Sequence, residues 1–322
     1  MNSFLAPQIE YLLFLQNLRE ITGGIFDQFF MFITSLGEIT LPVLFIAFIY
    51  WCISKKDGTY ILFSWGIGVI ITQFLKLWAC IYRPWILDSR VRPIPESIKW
   101  AGGYSFPSGH TQTAVCVWGG AAVCSKNNFI KIALIVIALL IGFSRNYIGV
   151  HTPQDIIVSI VVGCLLLFFM HKLLKWVDGG KNRDVIILAS VYLLCIALML
   201  YGYFKSYPID YFNGKILVDT IKMKMYSLPK VGMVTGIFTG WFLERRFVDF
   251  VPEIGSINEK FARFIIGALI LVGITSALDF ILPNLVDKKS TMAISAFVSA
   301  IFVTVVYPFM IKMFANRKQK AE

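Results

Sequence analysis

Two of the chain's three histidines stand at the edges of apolar runs, each among small or charged residues. Residues 102–112 read GYSFPSGHTQT, and residues 144–155 read SRNYIGVHTPQD. A third polar group, Lys76 followed after six residues by Arg83 and Pro84, closes the apolar run that precedes them. In the first stretch Ser108 is a good helix N-cap, and Gly109 lets another group come close to the backbone. A helix start of that kind presents free N–H groups to an anion. In the second, Thr152 reads as an N-cap with Pro153 at the first helical position, which makes His151 and Asp155 neighbours one turn apart. Pro84 helps to end the helix that carries Lys76.

Each residue also has a plain reading. Lys76 and Arg83 could snorkel to headgroups, His110 could be an ordinary interfacial polar residue, and Asp155 could only cap its helix. Taken together they read differently. Two histidines and three cations (Lys76, Arg83, Arg145) converge at one membrane face beside a helix start, and ionisable groups near a membrane are functional candidates.

The elements that must position them are membrane helices. Of the 322 residues, 57% are hydrophobic and 15% charged, and the apolar residues fall in runs of about twenty. Lipid leaves backbone groups no partner except their own helix, so the fold class is all-α and polytopic. Spans are expected at 26–53, 58–80, 109–125, 128–147, 153–176, 184–205, 229–243, 259–282 and 290–314. Residues 4–22 carry Glu10, Gln16, Asn17, Arg19 and Glu20 and read as an interfacial helix. With Glu10 the first charge and Arg19 the first cation, the start lacks a signal peptide's basic flank, and Met1 is expected to be retained. Three regions follow: an interfacial helix over 1–24, a six-helix core over 25–205, and an extension over 206–322 with about three further transmembrane helices.

Lys55 and Lys56, Lys126 and Lys131, Lys172 to Arg183, Arg245 to Arg263 and the tail from Lys312 to Lys320 share one side, which the positive-inside rule makes cytoplasmic. Loops 81–108, 145–152, 206–228 and 283–289 then lie on the extracytoplasmic face, with the candidate site. The net charge of +11 is spread over loops without interleaved exposed aromatics, so anionic lipid headgroups are expected partners and nucleic acid is not. Lys215, Lys222, Lys224 and Lys230 fall on or near the site's face and could draw such headgroups towards it. The six cysteines show no C-x-x-C spacing and read as buried free thiols. Gly232, Gly236 and Gly240 recur every four residues, which suits close packing against another helix of the chain or against a second copy in a homodimer. Glu244, Arg245, Arg246 and Asp249 read as a surface charge cluster.

The order Lys-x6-Arg-Pro, Pro-Ser-Gly-His, Ser-Arg-x5-His-x3-Asp resembles the type 2 phosphatidic acid phosphatase superfamily, with every motif position filled across about residues 25–205. The resemblance implies a membrane lipid phosphate phosphatase. In that reading Lys76, Arg83 and Arg145 bind phosphate, Ser108, Gly109 and His110 add hydrogen bonds, His151 is the nucleophile, Asp155 orients it, and His110 is the general acid. A phosphate monoester carries about −1.5 to −2 charges at neutral pH, which three fixed cations offset. No metal and no cofactor is expected, because His110 and His151 lack nearby cysteine or carboxylate ligands apart from Asp155. The implied substrates are undecaprenyl pyrophosphate, phosphatidate, phosphatidylglycerol phosphate and long-chain-base phosphates. Two other readings stand beside hydrolysis: phosphate transfer to another acceptor at the same site, and non-catalytic binding or translocation of a lipid phosphate.

Overall fold

The structure, a computed structural model, describes residues 5–99, 101–212 and 215–321, and of residues 212, 215 and 317–321 only the backbone. Met1 and the side chains of Lys215, Lys318 and Lys320 lie outside the described residues.

Among the described residues the regular structure is helical apart from one two-residue antiparallel ladder. The helices are α1 (Ala6–Ile21), α2 (Asp27–Ser35), α3 (Thr40–Phe48), α4 (Lys55–Ala79), α5 (Gly109–Ala114), α6 (Asn128–Tyr147), α7 (Pro153–Asp178) and α8 (Arg183–Phe204). The ladder joins β1 (Tyr211–Phe212) to β2 (Lys215–Ile216). Helices α9 (Ser227–Leu243), α10 (Ile257–Ile281), α11 (Lys288–Ile301) and α12 (Tyr307–Ala321) follow. A π-helical turn at Val115–Gly119 carries α5 on to Cys124, and another at Phe302–Val306 joins α11 to α12.

All nine expected spans contain helix. Six segments among the described residues are long and apolar enough to cross a membrane: Lys55–Leu87, Asn128–Tyr147, Pro153–Asp178, Arg183–Phe204, Ile257–Asn284 and Lys288–Asn316. A seventh is the bent pair Asp27–Ser35 and Thr40–Ile53, whose axes differ by 52°. The expected run 26–53 is therefore a broken helix, interrupted where Gly37 and Glu38 enter the apolar sequence. The expected spans at 109–125 and 229–243 form helices that do not meet that measure.

Two compact units form, and they do not follow sequence order. The first gathers residues up to Pro42, Ile71–Leu167 and Gly202–Lys224; the second gathers Val43–Ile70, Phe168–Tyr201 and the chain from Met225 on. Residues 206–224 of the expected extension thus group with the candidate site residues.

In the first unit α6 is the central helix, with α2 and the helix begun by α5 packed on it. A close approach is built in at Gly37, where a Cβ would lie 2.9 Å from Ile141 Cγ2 and 3.2 Å from the His110 carbonyl oxygen. Helix α1 is tied to the loop after Leu87: Gln16 accepts from the Arg92 amide at 2.7 Å, and Arg90 pairs with Glu10 at 2.9 Å. That exposed ion pair contributes little to stability. The buried faces of Ile9, Leu12 and Leu15 seat α1 by removing apolar area from water.

In the second unit the tilted rings of Trp51 and Tyr307 lie 4.6 Å apart within a cluster that includes Tyr50, Phe250 and Phe302. The glycine stripe of α9 faces α11 and the turn after it. A Cβ at Gly236 would come 2.6 Å from the Phe297 carbonyl oxygen, and one at Gly240 would fall on Thr304 Oγ1. The stripe is thus filled within the chain. Glu244, expected on the surface, is buried, where it accepts from Lys55 at 3.1 Å and from the Phe250 amide at 2.9 Å. A charge can be buried only if paired and hydrogen-bonded, which these two donors provide. With Arg245, Asp178 and Asp249, this pair lines a cavity of about 410 Å³. Arg246 binds Asp184 at 2.7 Å, and Lys312 donates to the Val248 carbonyl. Four of the five basic segments expected on one side therefore meet each other.

All six cysteines are free thiols; Cys52, Cys116 and Cys195 are buried as expected, but Cys80 and Cys124 are half-buried and Cys164 is exposed.

Candidate active site

Helix α4 does not run to Pro84. It ends at Ala79, where Cys80 takes a left-handed φ of 52°, and Pro84 instead opens a short helix, Pro84–Leu87. Proline suits that first position because its missing N–H is one the helix would leave unpaired. Lys76 thus sits in the last turn of α4, where its ammonium donates to the carbonyl oxygens of Tyr104 at 3.0 Å and Ser105 at 2.8 Å. Arg83 lies in the following loop. It is only 5% exposed and donates to the carbonyls of Val150 (2.9 Å), Gly103 (3.2 Å) and Gly102 (3.2 Å).

Ser108 caps α5 as expected, with its Oγ accepting from the Thr111 amide at 3.3 Å and the Thr111 hydroxyl at 2.9 Å. Its own amide donates to the Asp155 carbonyl at 3.1 Å, while its hydroxyl, an acceptor in both bonds to Thr111, keeps its own proton to donate. A Cβ at Gly109 would meet nothing within 4 Å. The helix mouth is open there, with the first-turn N–H groups unused by the helix itself.

At the end of α6, Gly149 takes a φ of 77° and the Val150 amide returns to the Arg145 carbonyl at 3.1 Å, so the chain reverses at once into the loop that carries His151. Asn146 Nδ2 pins that loop by donating to the His151 carbonyl at 2.9 Å. Arg145, 3% exposed, donates from Nη1 to Thr34 Oγ1 at 2.6 Å. The expected cap on α7 is reversed: Thr152 Oγ1 has no partner among the described residues, and the Asp155 carboxylate accepts from the Thr152 amide at 2.9 Å.

His151 lies between opposite partners. Nδ1 is 3.1 Å from Asp155 Oδ2, and Nε2 is 2.9 Å from Arg83 Nη1. A guanidinium has no acceptor, so Nε2 must accept and the neutral ring's proton must sit on Nδ1, facing the carboxylate. Burial, followed by the positive charges of Arg83, Arg145 and Lys76 and by His110, holds this ring well below the usual imidazole range. The ring is therefore neutral at pH 7 with a lone pair on Nε2. His110 belongs to the same electrostatic cluster, and its Nε2 is buried without a hydrogen-bond partner among the described residues, as is Arg145 Nε. An unsatisfied buried polar group costs about 1–3 kcal/mol, which an incoming oxyanion would relieve. Lys76 and Arg83 direct their hydrogen bonds to neutral carbonyls and, for Arg83, to the His151 ring.

All the sequence-expected side chains thus gather around one buried point in the first unit, with Ser108 in a capping role. Two further residues join them. Ser105, fully buried, donates to Asp155 Oδ2 at 2.5 Å, and Thr34 holds Arg145. Ser105 sits just ahead of the PSGH run. Thr34 lies inside what reads as an unbroken apolar span, where only the nearby Gly37 and Glu38 hint at a break.

Residues 57–178 match the family model described as the PAP2 superfamily, and residues 229–319 match the one described as a transmembrane extension of PAP2 superfamily phosphatases. Phosphatidylglycerophosphatase B of Bacillus subtilis is 32% identical over 153 residues, covering 44% of this chain and 70% of that protein. The chain belongs to the PAP2 superfamily. Undecaprenyl-diphosphatase BcrC of the same organism is 28% identical over 164 residues, covering 48% of this chain and 81% of its own length. Lipid A 4'-phosphatase of Porphyromonas gingivalis is 28% identical over 176 residues, covering 51% and 72%. No solved structure gives a significant match. The PAP2 match takes in Lys76, Arg83, His110, Arg145, His151 and Asp155, and the extension match takes in the glycine stripe of α9.

Proposed function

We propose that this chain, a multi-pass membrane lipid phosphate phosphatase of the PAP2 superfamily, hydrolyses a phosphomonoester or pyrophosphate on a long-chain lipid through a phosphohistidine at His151. The observation that carries the reading is the placement of that ring, with Asp155 on Nδ1 and the Nε2 lone pair turned to Arg83. Substrate phosphate would replace Nε2 as the partner of Arg83 and accept from Arg145 and Lys76. Nε2 then attacks phosphorus, and the bond to the leaving oxygen breaks. The positive charge that develops on the ring is stabilised by Asp155, which also fixes its tautomer. Once the bound phosphate's negative charge offsets the three cations beside it, His110 takes up a proton, which it gives to the leaving oxygen. Now neutral, it takes a proton from water, which cleaves the phosphorus–nitrogen bond and returns both histidines to their starting states. The three cations act where charge develops on the equatorial oxygens.

The meeting of four basic segments in the second unit supports one shared cytoplasmic side for them. The loops of the site would then face outward, where a headgroup of the outer leaflet reaches them. The relatives' names support phosphatidylglycerol phosphate and undecaprenyl pyrophosphate as the first lipids to test, with phosphatidate and sphingosine phosphate beside them. Phosphate release by the purified protein in detergent with EDTA, native against His151→Ala, tests the reading. Release by the native protein alone is expected. Release dependent on added metal, or equal from both proteins, would overturn it.

A further inference from the structure

Ser105 is not part of the three-motif pattern, yet its three polar groups reach three parts of the site. Its amide donates to the Ile81 carbonyl at 2.7 Å, in the loop that leads to Arg83. Its carbonyl accepts from Lys76 Nζ at 2.8 Å. Its hydroxyl donates to Asp155 Oδ2 at 2.5 Å and lies 3.2 Å from His151 Nδ1.

Three other buried serines of this chain spend their hydroxyls locally. Ser64 donates to the Tyr60 carbonyl, Ser97 to that of Ile94 and Ser144 to that of Ile141, each within one turn of helix. Such bonds satisfy a hydroxyl at no cost to any other group. Ser105 reaches across 50 residues to a carboxylate instead. Asp155 Oδ2 thereby collects three donors, from Ser105, Thr152 and His151, while Oδ1 has none among the described residues. With one oxygen free, the carboxylate's rotation is set by what holds the other.

We propose that Ser105 is a positioning residue for the nucleophile: its hydroxyl locks the Asp155 carboxylate against His151 Nδ1 and shares its negative charge, while its backbone ties that lock to Lys76. The proposal rests on the reading of His151 as nucleophile. Without the hydroxyl, the carboxylate keeps one fixed donor, from Thr152, and the imidazole loses a wall of its slot. A carboxylate with one donor fewer also attracts the imidazolium more strongly, so protonated His151 becomes easier to form. The other charged groups that face the ring are Arg83 from the loop after α4, Lys76 from α4, Arg145 from α6 and His110 from α5. All are unchanged by a substitution at residue 105.

The test measures kcat and KM for phosphatidylglycerol phosphate against pH in detergent with EDTA, for native protein, Ser105→Ala, Ser105→Thr, Ser105→Cys and His151→Ala. Ser105→Ala is expected to lower kcat about ten-fold, leave KM within about two-fold, and move the acid limb of kcat/KM up by roughly half a pH unit. Ser105→Thr keeps the hydroxyl and is expected to restore the limb. If Ser105→Ala does not fold, Ser105→Cys, with its weak S–H donor, carries the same expectation. An acid limb at the native position in a folded variant without the hydroxyl would overturn the proposal, whatever its kcat. Ionisation of the substrate is common to every variant and cancels in the comparison. His151→Ala separates the two levels: native-like turnover by that variant would remove the nucleophile reading itself.

Discussion

Replacing Asp155 with asparagine keeps the shape of the side chain and removes its charge. In the native protein Oδ2 accepts from His151 Nδ1 at 3.1 Å, from Ser105 at 2.5 Å and from the Thr152 amide at 2.9 Å. An amide can present only one oxygen. If it keeps Ser105 and Thr152, the ring proton on Nδ1 can stay, but the imidazolium formed during attack loses its counter-charge. If its NH₂ turns to the ring, Nδ1 must accept, the proton moves to Nε2, and the attacking lone pair is gone. In serine hydrolases the equivalent change costs about 10⁴ in kcat, and here a loss of about 10³–10⁴ is expected, or roughly 4–5.5 kcal/mol of barrier. KM should change little, because Lys76, Arg83 and Arg145 keep their carbonyl and hydroxyl partners. Phosphate release at saturating lipid, on protein shown to be folded by its melting transition, reads the effect. A folded Asp155→Asn variant within ten-fold of native kcat would refute the reasoning.

Three other outcomes follow from the geometry. Arg83→Lys keeps the charge but cannot span Val150, Gly102, Gly103 and His151 with one ammonium, so kcat/KM should fall about a hundred-fold; a variant close to native would show that charge alone suffices. Because His151 is held below the imidazole range and must be neutral to attack, activity should persist as pH falls through about 6.5 once substrate ionisation is corrected for; an acid limb centred at or above that value would contradict it. Gly236→Leu forces a side chain into the 2.6 Å approach to the Phe297 carbonyl, and should lower the melting temperature in detergent by several degrees, equivalent to about 1–3 kcal/mol. An unchanged transition would mean that α9 and α11 do not pack so closely.

Much of the site was legible because its logic is local. Ser108 caps its helix through a residue three positions on, and His151 meets Asp155 across one helical turn, so spacing alone placed both pairs. What escaped the sequence depends on partners distant in the chain. Thr34 meets Arg145 across 111 residues, and nothing in an apolar run marks one threonine for a guanidinium. Glu244 reads as a surface charge until Lys55, 189 residues earlier, is seen to bury it. The reversed cap at Thr152 is a competition that residue types cannot settle, since a hydroxyl and a carboxylate both could take helix-start donors, and the carboxylate won. Pro84 was given the wrong task for a similar reason: a proline can follow one helix or begin the next, and Cys80 had already ended α4. The four-residue spacing of glycines announced a close helix contact but not that α11 supplies it.

The central claim is a covalent bond between phosphorus and His151 Nε2. Brief incubation with lipid labelled in the phosphate to be transferred, a denaturing quench at alkaline pH and peptide mapping would look for it directly. The account predicts label that survives alkali, is lost in acid, maps to the peptide containing His151, and is absent from His151→Ala. Phosphate release by the native protein with no label on that peptide, under a quench that preserves phosphohistidine, or label retained in His151→Ala, would contradict it.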